Sequence, residues 1–272
     1  MKDLFAGSFG ARNNPDDEYL EPITIYKDSP RIGIIGATSP SRPYKTRHGF
    51  EAGYGIRKYL ENHPGTVFTG GVEGIGSDAY AGVVKFCMDV GIQTGNVPDD
   101  KFFVVIPNNL EYPDRLNKEK IVRIPYSPPH MYSLLARFLP KGKVEEVRAG
   151  KNMYERRLYL AAISDILVVV NGGPGTDHEA YTGLEAGKRV ITLPYTGGTA
   201  SILESVKKGE YDPTPKFPKS GLFSKFSTLD TGDFIKSLDP DPLNFKLVNP
   251  DLITVANSKE ELVGELERLL AQ

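Results

Sequence analysis

Residues 165–179 read DILVVVNGGPGTDHE, an apolar run that passes directly into a glycine-rich turn. Consecutive branched apolar residues of this kind are typical of a strand that is buried on both faces of a parallel sheet. Glycines in the turn that follows let the backbone approach a ligand closely, because they have no Cβ atom. We therefore predict a strand, a ligand-binding turn and a helix that begins near Thr176.

The same order of strand, turn and helix recurs along the chain. Apolar runs predict further strands at 31–36, 66–69, 102–106 and 189–193, and this repetition predicts an α/β fold with a doubly wound parallel sheet and helices on both faces. Cys87 lies on the apolar stripe of a predicted helix, and we expect it to be a small core residue. The helical stripes between the first strands are Ala52, Ile56 and Leu60, then Ala79, Val83 and Val90.

The regular pattern does not extend over the whole chain. Residues 1–30 are polar and are predicted to form an N-terminal arm. Residues 31–272 are predicted to form a single domain, which carries irregular inserted segments at about 93–150 and 209–250. A β-like run at 121–124 lies within the first segment. Segments in such positions usually shape the mouth of a pocket or an interface with a partner.

Composition and charge limit the classes of partner. The 272 residues include 33 Lys and Arg against 35 Asp and Glu, for a formal net charge of −2, which gives no reason to expect nucleic acid or a membrane as a partner. No apolar run approaches the roughly 20 residues of a membrane-spanning helix. The single cysteine excludes an intramolecular disulfide, and the four histidines show no metal-ligand spacing. We predict a cytoplasmic protein without a metal site.

Glycine-rich turns follow several predicted strands and should meet at one edge of the sheet, at 36–41, 70–76, 172–176 and 197–199. One such turn is often only a tight connector, but several together favour a nucleotide or sugar phosphate as the ligand. None has the G-x-G-x-x-G spacing with an acidic residue about 20 positions later, and there is no P-loop, so no cofactor is predicted. The candidate phosphate-binding residues are Gly36, Thr38, Ser39, Gly70, Gly71, Gly74, Gly76, Gly172, Gly173, Gly175 and Thr176.

The segment before the quoted strand, residues 153–165, reads MYERRLYLAAISD. Together with that strand and turn it resembles the LOG (Lonely guy) family, formerly labelled lysine decarboxylase-like, of the SMF/DprA-LOG Rossmann-like superfamily. In that family a helix bears Arg-Lys, and a turn after the next strand reads P-G-G-x-G-T-x-x-E. Asn171 stands where the family has proline, and the resemblance covers about residues 31–205. The matching residues are Arg156 and Arg157 for the first motif, and Gly172, Gly173, Gly175, Thr176 and Glu179 for the second.

The resemblance implies a Rossmann-like fold, a homodimer and a nucleoside 5′-monophosphate as the small-molecule ligand. Enzymes of the family hydrolyse the N-glycosidic bond and release the base and ribose 5-phosphate. Relatives in the wider superfamily bind molybdenum cofactor or sense nucleotides instead. The expected function is therefore that of a phosphoribohydrolase, and the alternative is a non-catalytic nucleotide or cofactor carrier or a sensor.

The chemistry of that reaction assigns roles to three charged residues. Cleavage of an N-glycosidic bond builds positive charge on the sugar, and a fixed carboxylate nearby stabilises it. We expect Glu179 and Arg156 to be the catalytic pair, with Arg156 holding the carboxylate ionised, and Arg157 to point about 100° around the helix and to contribute to ligand binding. Considered alone, the arginines are equally consistent with solvated helix residues, and Glu179 with an acid favoured by the helix dipole.

Overall fold

The computed structural model of the protein describes residues 29–38, 40–70, 74–99, 101–106, 145–149, 153–211 and 245–271. Nearly all of the predicted arm, the β-like run at 121–124 and most of both inserted segments lie outside the described residues.

The described strands form one seven-stranded sheet in which every pairing is parallel, in the order β4-β3-β2-β1-β5-β6-β7. The chain builds outward from β1 to β4 and then returns to place β5 on the other side of β1. Ligands of such sheets bind at this change of direction, outside the carboxyl ends of the strands. The strands are β1 Arg31–Gly36, β2 Thr66–Thr69, β3 Phe102–Ile106, β4 Glu145–Arg148, β5 Ile166–Val170, β6 Arg189–Leu193 and β7 Ile253–Val255.

Helices cover both faces of the sheet. The strand side chains alternate between two buried clusters, as Ile34 and Ile35 of β1 show. One cluster includes Ile56, Val83 and Leu262 of α1, α2 and α6, and the other includes Leu160, Leu184 and Leu203 of α3, α4 and α5. The helices are α1 Thr46–Tyr59, α2 Ile75–Thr94, α3 Met153–Ile163, α4 Pro174–Glu185, α5 Thr199–Lys208 and α6 Lys259–Leu270. Short 3₁₀ helices span Pro194–Thr196, Phe245–Leu247 and Pro250–Leu252.

The predicted fold class is confirmed, and so are the five interior strands. The two edge strands were not predicted: the segment that contains β4 was expected to be irregular, and no strand was expected at β7. Strand β4 reads EEVR and β7 is three residues long, so neither has the apolar run by which the interior strands were found. Cys87 is fully buried as expected. No helix within the described ranges has the length and apolar character needed to cross a membrane.

Candidate functional site

A cavity of about 240 Å³ lies at the carboxyl ends of the central strands, where β1, β2 and β5 pass into their turns. It is therefore at the change of direction in the strand order. The predicted site residues in its wall are Gly36, Thr38, Gly70, Gly76, Arg156, Arg157, Gly173, Gly175, Thr176 and Glu179. Ser39 and Gly71 were also predicted and lie outside the described residues.

Several other residues of the wall were not predicted as site residues: Ile34, Ile35, Ala37, Thr69 and Pro174. Their side chains carry no chemical signal of a site. Each lies within or directly beside a strand end or turn that was identified, so position along the chain, rather than residue type, could have indicated them.

Gly74 and Gly172 do not line this cavity, although both were predicted to bind phosphate. Both have positive φ angles, +87° and +128°, in a region that side chains other than glycine rarely adopt. A Cβ atom on Gly74 would collide with the carbonyl groups of Ala37 and Thr38, and one on Gly172 would collide with Thr199. These two glycines therefore allow neighbouring turns to pack closely.

Arg156 and Glu179 form a buried ion pair in the wall of the cavity. Nη1 of Arg156 donates to Oε1 of Glu179 at 2.8 Å, and the two side chains are only 3% and 6% exposed. The guanidinium group also lies against Gly70, where a Cβ atom would collide with it. Helix α3 thus supplies the cation and α4 the carboxylate, and the end of β2 leaves the space in which they meet.

The environment of Glu179 changes its proton affinity. Burial raises the pKa of the Glu179 carboxyl above its ordinary value, and the positive charges of Arg156 and Arg157 lower it in part. A carboxylate that is desolvated in this way, beside a cavity, is a stronger base than one in water.

Arg157 lies in the wall of the same cavity as Arg156, which differs from the expectation that the two would point to different places. Its guanidinium group covers the start of α4, since a Cβ atom on Gly175 would lie 2.8 Å from Nη2 of Arg157. The two arginines do differ in their contacts, because Arg156 holds Glu179 and Arg157 lies over the backbone of the turn.

The first turn of α4 presents backbone N–H groups to the cavity. Within the described residues, the N–H groups of Gly173 and Gly175 have no hydrogen-bond acceptor, and a helix N-terminus of this kind attracts anions. The N–H of Thr176 was also expected to hold a phosphate, but it already donates to the carbonyl oxygen of Gly173 at 2.8 Å. The free donors are therefore those of Gly173 and Gly175.

Asn171 joins three loops behind the cavity. It is fully buried, with φ of +56°, a value that asparagine tolerates better than most residues. Its backbone N–H donates to Oγ1 of Thr196, and its side-chain amide donates to the carbonyl oxygens of Thr196 and Ser41 and accepts from the N–H of Ser41. In the sequence, the only sign of this role was the departure from the proline of the LOG pattern.

The cavity therefore combines two guanidinium groups, a helix N-terminus and one buried carboxylate. Such a set of groups binds an anion at the arginine and backbone donors and places a negative charge beside it. Metal coordination has no comparable support, since no three His, Cys, Asp or Glu side chains are grouped as metal ligands in the part of the chain that the structure describes.

No family model matches the sequence, and no curated protein is significantly similar to it. Solved structures are similar in fold. The X-ray structure of TM1055, a structural genomics target, has a TM-score of 0.50 and 18% identity over 88% of this chain and 99% of that chain. The molybdenum cofactor carrier protein from Chlamydomonas reinhardtii has a TM-score of 0.44 and 17% identity over 90% of this chain and 99% of its own.

DNA processing protein A from Helicobacter pylori, whose structure gives insights into its binding mode for single-stranded DNA, has a TM-score of 0.42 and 17% identity over 75% of this chain and 84% of its own. At these identities a structural match describes the fold and not the activity. The similarity to TM1055 is consistent with the parallel sheet and its strand order, since all of them indicate the same type of fold. The chain therefore has a Rossmann-like α/β fold with a doubly wound parallel sheet, the fold that its resemblance to the LOG family implied.

Proposed function

We propose that the protein hydrolyses the N-glycosidic bond of a nucleoside 5′-monophosphate and releases the base and ribose 5-phosphate. The observation that carries this proposal is the buried ion pair of Arg156 and Glu179 in the wall of the cavity at the carboxyl ends of the strands. A fixed carboxylate beside the site of the sugar supports the enzyme over a carrier, because it can stabilise the positive charge that develops on the sugar as the base departs.

The phosphate would lie at the start of α4. The N–H groups of Gly173 and Gly175 and the guanidinium group of Arg157 provide charge-assisted hydrogen bonds there. A ribose attached to this phosphate would extend toward Glu179, which follows Gly175 by about one turn of the same helix.

The carboxylate of Glu179 would act on the sugar. As the bond between C1′ and the base nitrogen breaks, its electron pair leaves with the base, and positive charge develops on C1′ and the ring oxygen. Glu179 stabilises that charge, and it accepts a proton from the water whose oxygen bonds to C1′. The departing base takes a proton from solvent. Arg156 keeps the carboxylate oriented through the hydrogen bond from Nη1.

The test is incubation of the purified protein with a panel of nucleoside 5′-monophosphates, with free base and ribose 5-phosphate measured by chromatography. We expect both products in equal amounts from at least one substrate. If the protein binds nucleotides but releases no base from any of them, the proposed activity is wrong and the carrier or sensor alternative replaces it.

We also propose a homodimer, on the resemblance to the LOG family alone. Light scattering should give a mass of twice the 29.9 kDa of one chain, and a single-chain mass at micromolar concentration would contradict the proposal.

A further inference from the structure

A second cavity, of about 540 Å³, opens between the first turns of α1 and α2. The proposed hydrolysis uses none of the side chains that line it. Its wall includes Tyr44, Lys45, Thr46, Gly74, Ser77 and Asp78.

Tyr44 and Asp78 form a fixed pair in this wall. The hydroxyl of Tyr44 donates to Oδ2 of Asp78 at 2.6 Å, and within the described residues no hydrogen-bond partner is found for Oδ1. The ring of Tyr44 packs edge-on against the imidazole of His48, with centroids 5.6 Å apart. His48 is in turn held by the N–H of Lys45, which donates to its Nδ1 at 3.1 Å.

The carboxylate of Asp78 is a hydrogen-bond acceptor at neutral pH. Burial raises the pKa of Asp78 to about 6, although the hydrogen bond from Tyr44 lowers it in part. Burial also raises the pKa of Tyr44 above its ordinary value, so the phenol keeps its proton and continues to donate. Asp78 is therefore mainly ionised at pH 7, and its carboxylate can accept hydrogen bonds but cannot donate them.

The two cavities share the start of α2. Gly76 lines the first cavity and Asp78 lines the second, and two residues along a chain separate their Cα atoms by at most about 7.6 Å. Gly74 lines the second cavity and packs against Ala37 and Thr38, which line the first. The walls of the two cavities therefore meet at the start of α2, and the separation of these wall residues is shorter than a nucleotide.

The charges decide which part of a nucleotide lies in which cavity. The phosphate is attracted to the arginines and free N–H groups of the first cavity. The carboxylate of Asp78 disfavours an anion in the second cavity, although Lys45 also lines it. A neutral group that carries hydrogen-bond donors suits the second cavity better.

We propose that the second cavity binds the nucleobase, and that Asp78, held by Tyr44, accepts a hydrogen bond from an exocyclic amine of that base. This inference rests on the proposed function. It predicts selection for adenine, guanine or cytosine over hypoxanthine or uracil, because a carboxylate facing a base that lacks the amine is left unpaired or opposes a carbonyl oxygen. Sites that are built to hydrogen-bond one group discriminate strongly against analogues without it.

The experiment measures dissociation constants by calorimetry for three matched pairs, AMP and IMP, GMP and IMP, and CMP and UMP. In at least one pair the wild-type protein should bind the amine-bearing nucleotide tenfold or more tightly. Asp78→Asn should reduce that ratio to near one, because the carboxamide both donates and accepts. Tyr44→Phe, which keeps the ring and removes the hydroxyl, should reduce it in part.

Asp89→Asn is the matched control. It alters a second tyrosine–aspartate contact between the same two helices, in which Tyr54 donates to Asp89 at 3.3 Å, and this contact lines neither cavity. The ratio should be unchanged in this variant. Ribose 5-phosphate, which lacks a base, should bind the wild-type protein and all three variants equally, which also shows that each variant folds.

The outcomes separate this inference from the proposed function. Equal affinity within all three pairs, or a ratio that Asp78→Asn leaves unchanged, overturns the assignment of the second cavity while base release can still be observed. If neither nucleotides nor ribose 5-phosphate bind, the proposed function fails and this inference fails with it.

Discussion

At the level of single residues, the charge of Glu179 separates catalysis from binding. Glu179→Gln keeps the size of the side chain and can still accept from Arg156, so the fold and most of the affinity for nucleotide should remain. The amide lacks the negative charge that the developing cation needs, and we expect turnover to fall by about 10²–10³-fold. The measurement is kcat and KM for the best substrate of the panel.

Glu185→Gln is the control for that measurement. It lies at the end of the same helix, is exposed, and is absent from the wall of the cavity. Its kinetics should match those of the wild-type protein. If Glu179→Gln is equally active, the enzyme assignment survives but Glu179 is not its catalytic carboxylate.

Gly173 offers a test of the phosphate position that does not disturb the fold. Its φ is −153°, and a Cβ atom there would meet nothing within 4 Å, so Gly173→Ala should not reduce stability. The added methyl group would occupy the space proposed for the phosphate, and we expect affinity for ribose 5-phosphate to fall by roughly tenfold or more, about 1.4 kcal/mol. Calorimetry measures the affinity, and thermal unfolding the stability.

Substitutions at two other glycines are the controls for Gly173→Ala. Gly172→Ala should cost about 1–3 kcal/mol of stability, because φ is +128° and the position is strained for alanine. Gly264→Ala, on the exposed face of α6, should be neutral or stabilising and should leave affinity unchanged. Unaltered binding by Gly173→Ala would show that the anion binds elsewhere.

How far the sequence predicts the site depends on the kind of residue. The glycines and the two arginines were identifiable because motifs contain them, and Arg156 and Glu179 could be paired only through the family resemblance, as they are 23 residues apart. Tyr44 and Asp78 belong to no motif in the sequence. They meet because α1 and α2 pack side by side, and that packing is a property of the folded chain.

At the level of elements, the strands that the sequence predicts are those whose side chains are almost completely buried. Strand β5 is buried at every position and was found from its apolar run alone. Strands β4 and β7 lie at the two edges of the sheet, where only one neighbour is needed and polar residues are tolerated. Strand β4 is positioned by its pairing with β3, and β7 by its pairing with β6. A local sequence pattern does not predict these pairings.

The turn between β5 and α4 is held by Asn171, and this gives a prediction at the same level. Asn171→Pro restores the residue of the LOG pattern, but the ring fixes φ near −65°, whereas the observed angle is +56°. The substitution also removes the N–H that donates to Thr196 at 2.6 Å. We expect a loss of more than about 1 kcal/mol, measured by urea unfolding.

Asn171→Gly separates the two causes of that loss. Glycine adopts the positive φ without strain and keeps the backbone N–H, so only the side-chain bonds to Ser41 and Thr196 are lost. We expect it to be more stable than Asn171→Pro. A proline variant as stable as the wild-type protein would show that the turn can adopt a second conformation.

At the level of the whole molecule, the sheet explains why distant segments of the sequence form adjoining cavities. The turns after β1, β2 and β5 lie at one edge because these strands are neighbours and parallel. The first helical turns of α1, α2 and α4 lie at the same edge. The repeated order of strand, turn and helix was enough to predict this arrangement, but not which side chains would face each other across it.

The stability of the whole molecule should depend on the ionisation of Asp78. In the folded protein burial raises the pKa of Asp78 from 3.8 to about 6, so between these values the folded state binds more protons than the unfolded state. The contribution of Asp78 to the free energy of unfolding must then fall as pH rises through this range.

Other carboxylates titrate in the same range, and their contributions cancel when Asp78→Asn is compared with the wild-type protein at each pH. We expect the stability of the wild-type protein relative to Asp78→Asn to decrease between about pH 4 and pH 6 and to be constant above pH 7, as measured by urea unfolding. A difference that is constant from pH 4 upward, or that grows in favour of the wild-type protein, would show that the ionised carboxylate is not destabilised by its burial beside Tyr44.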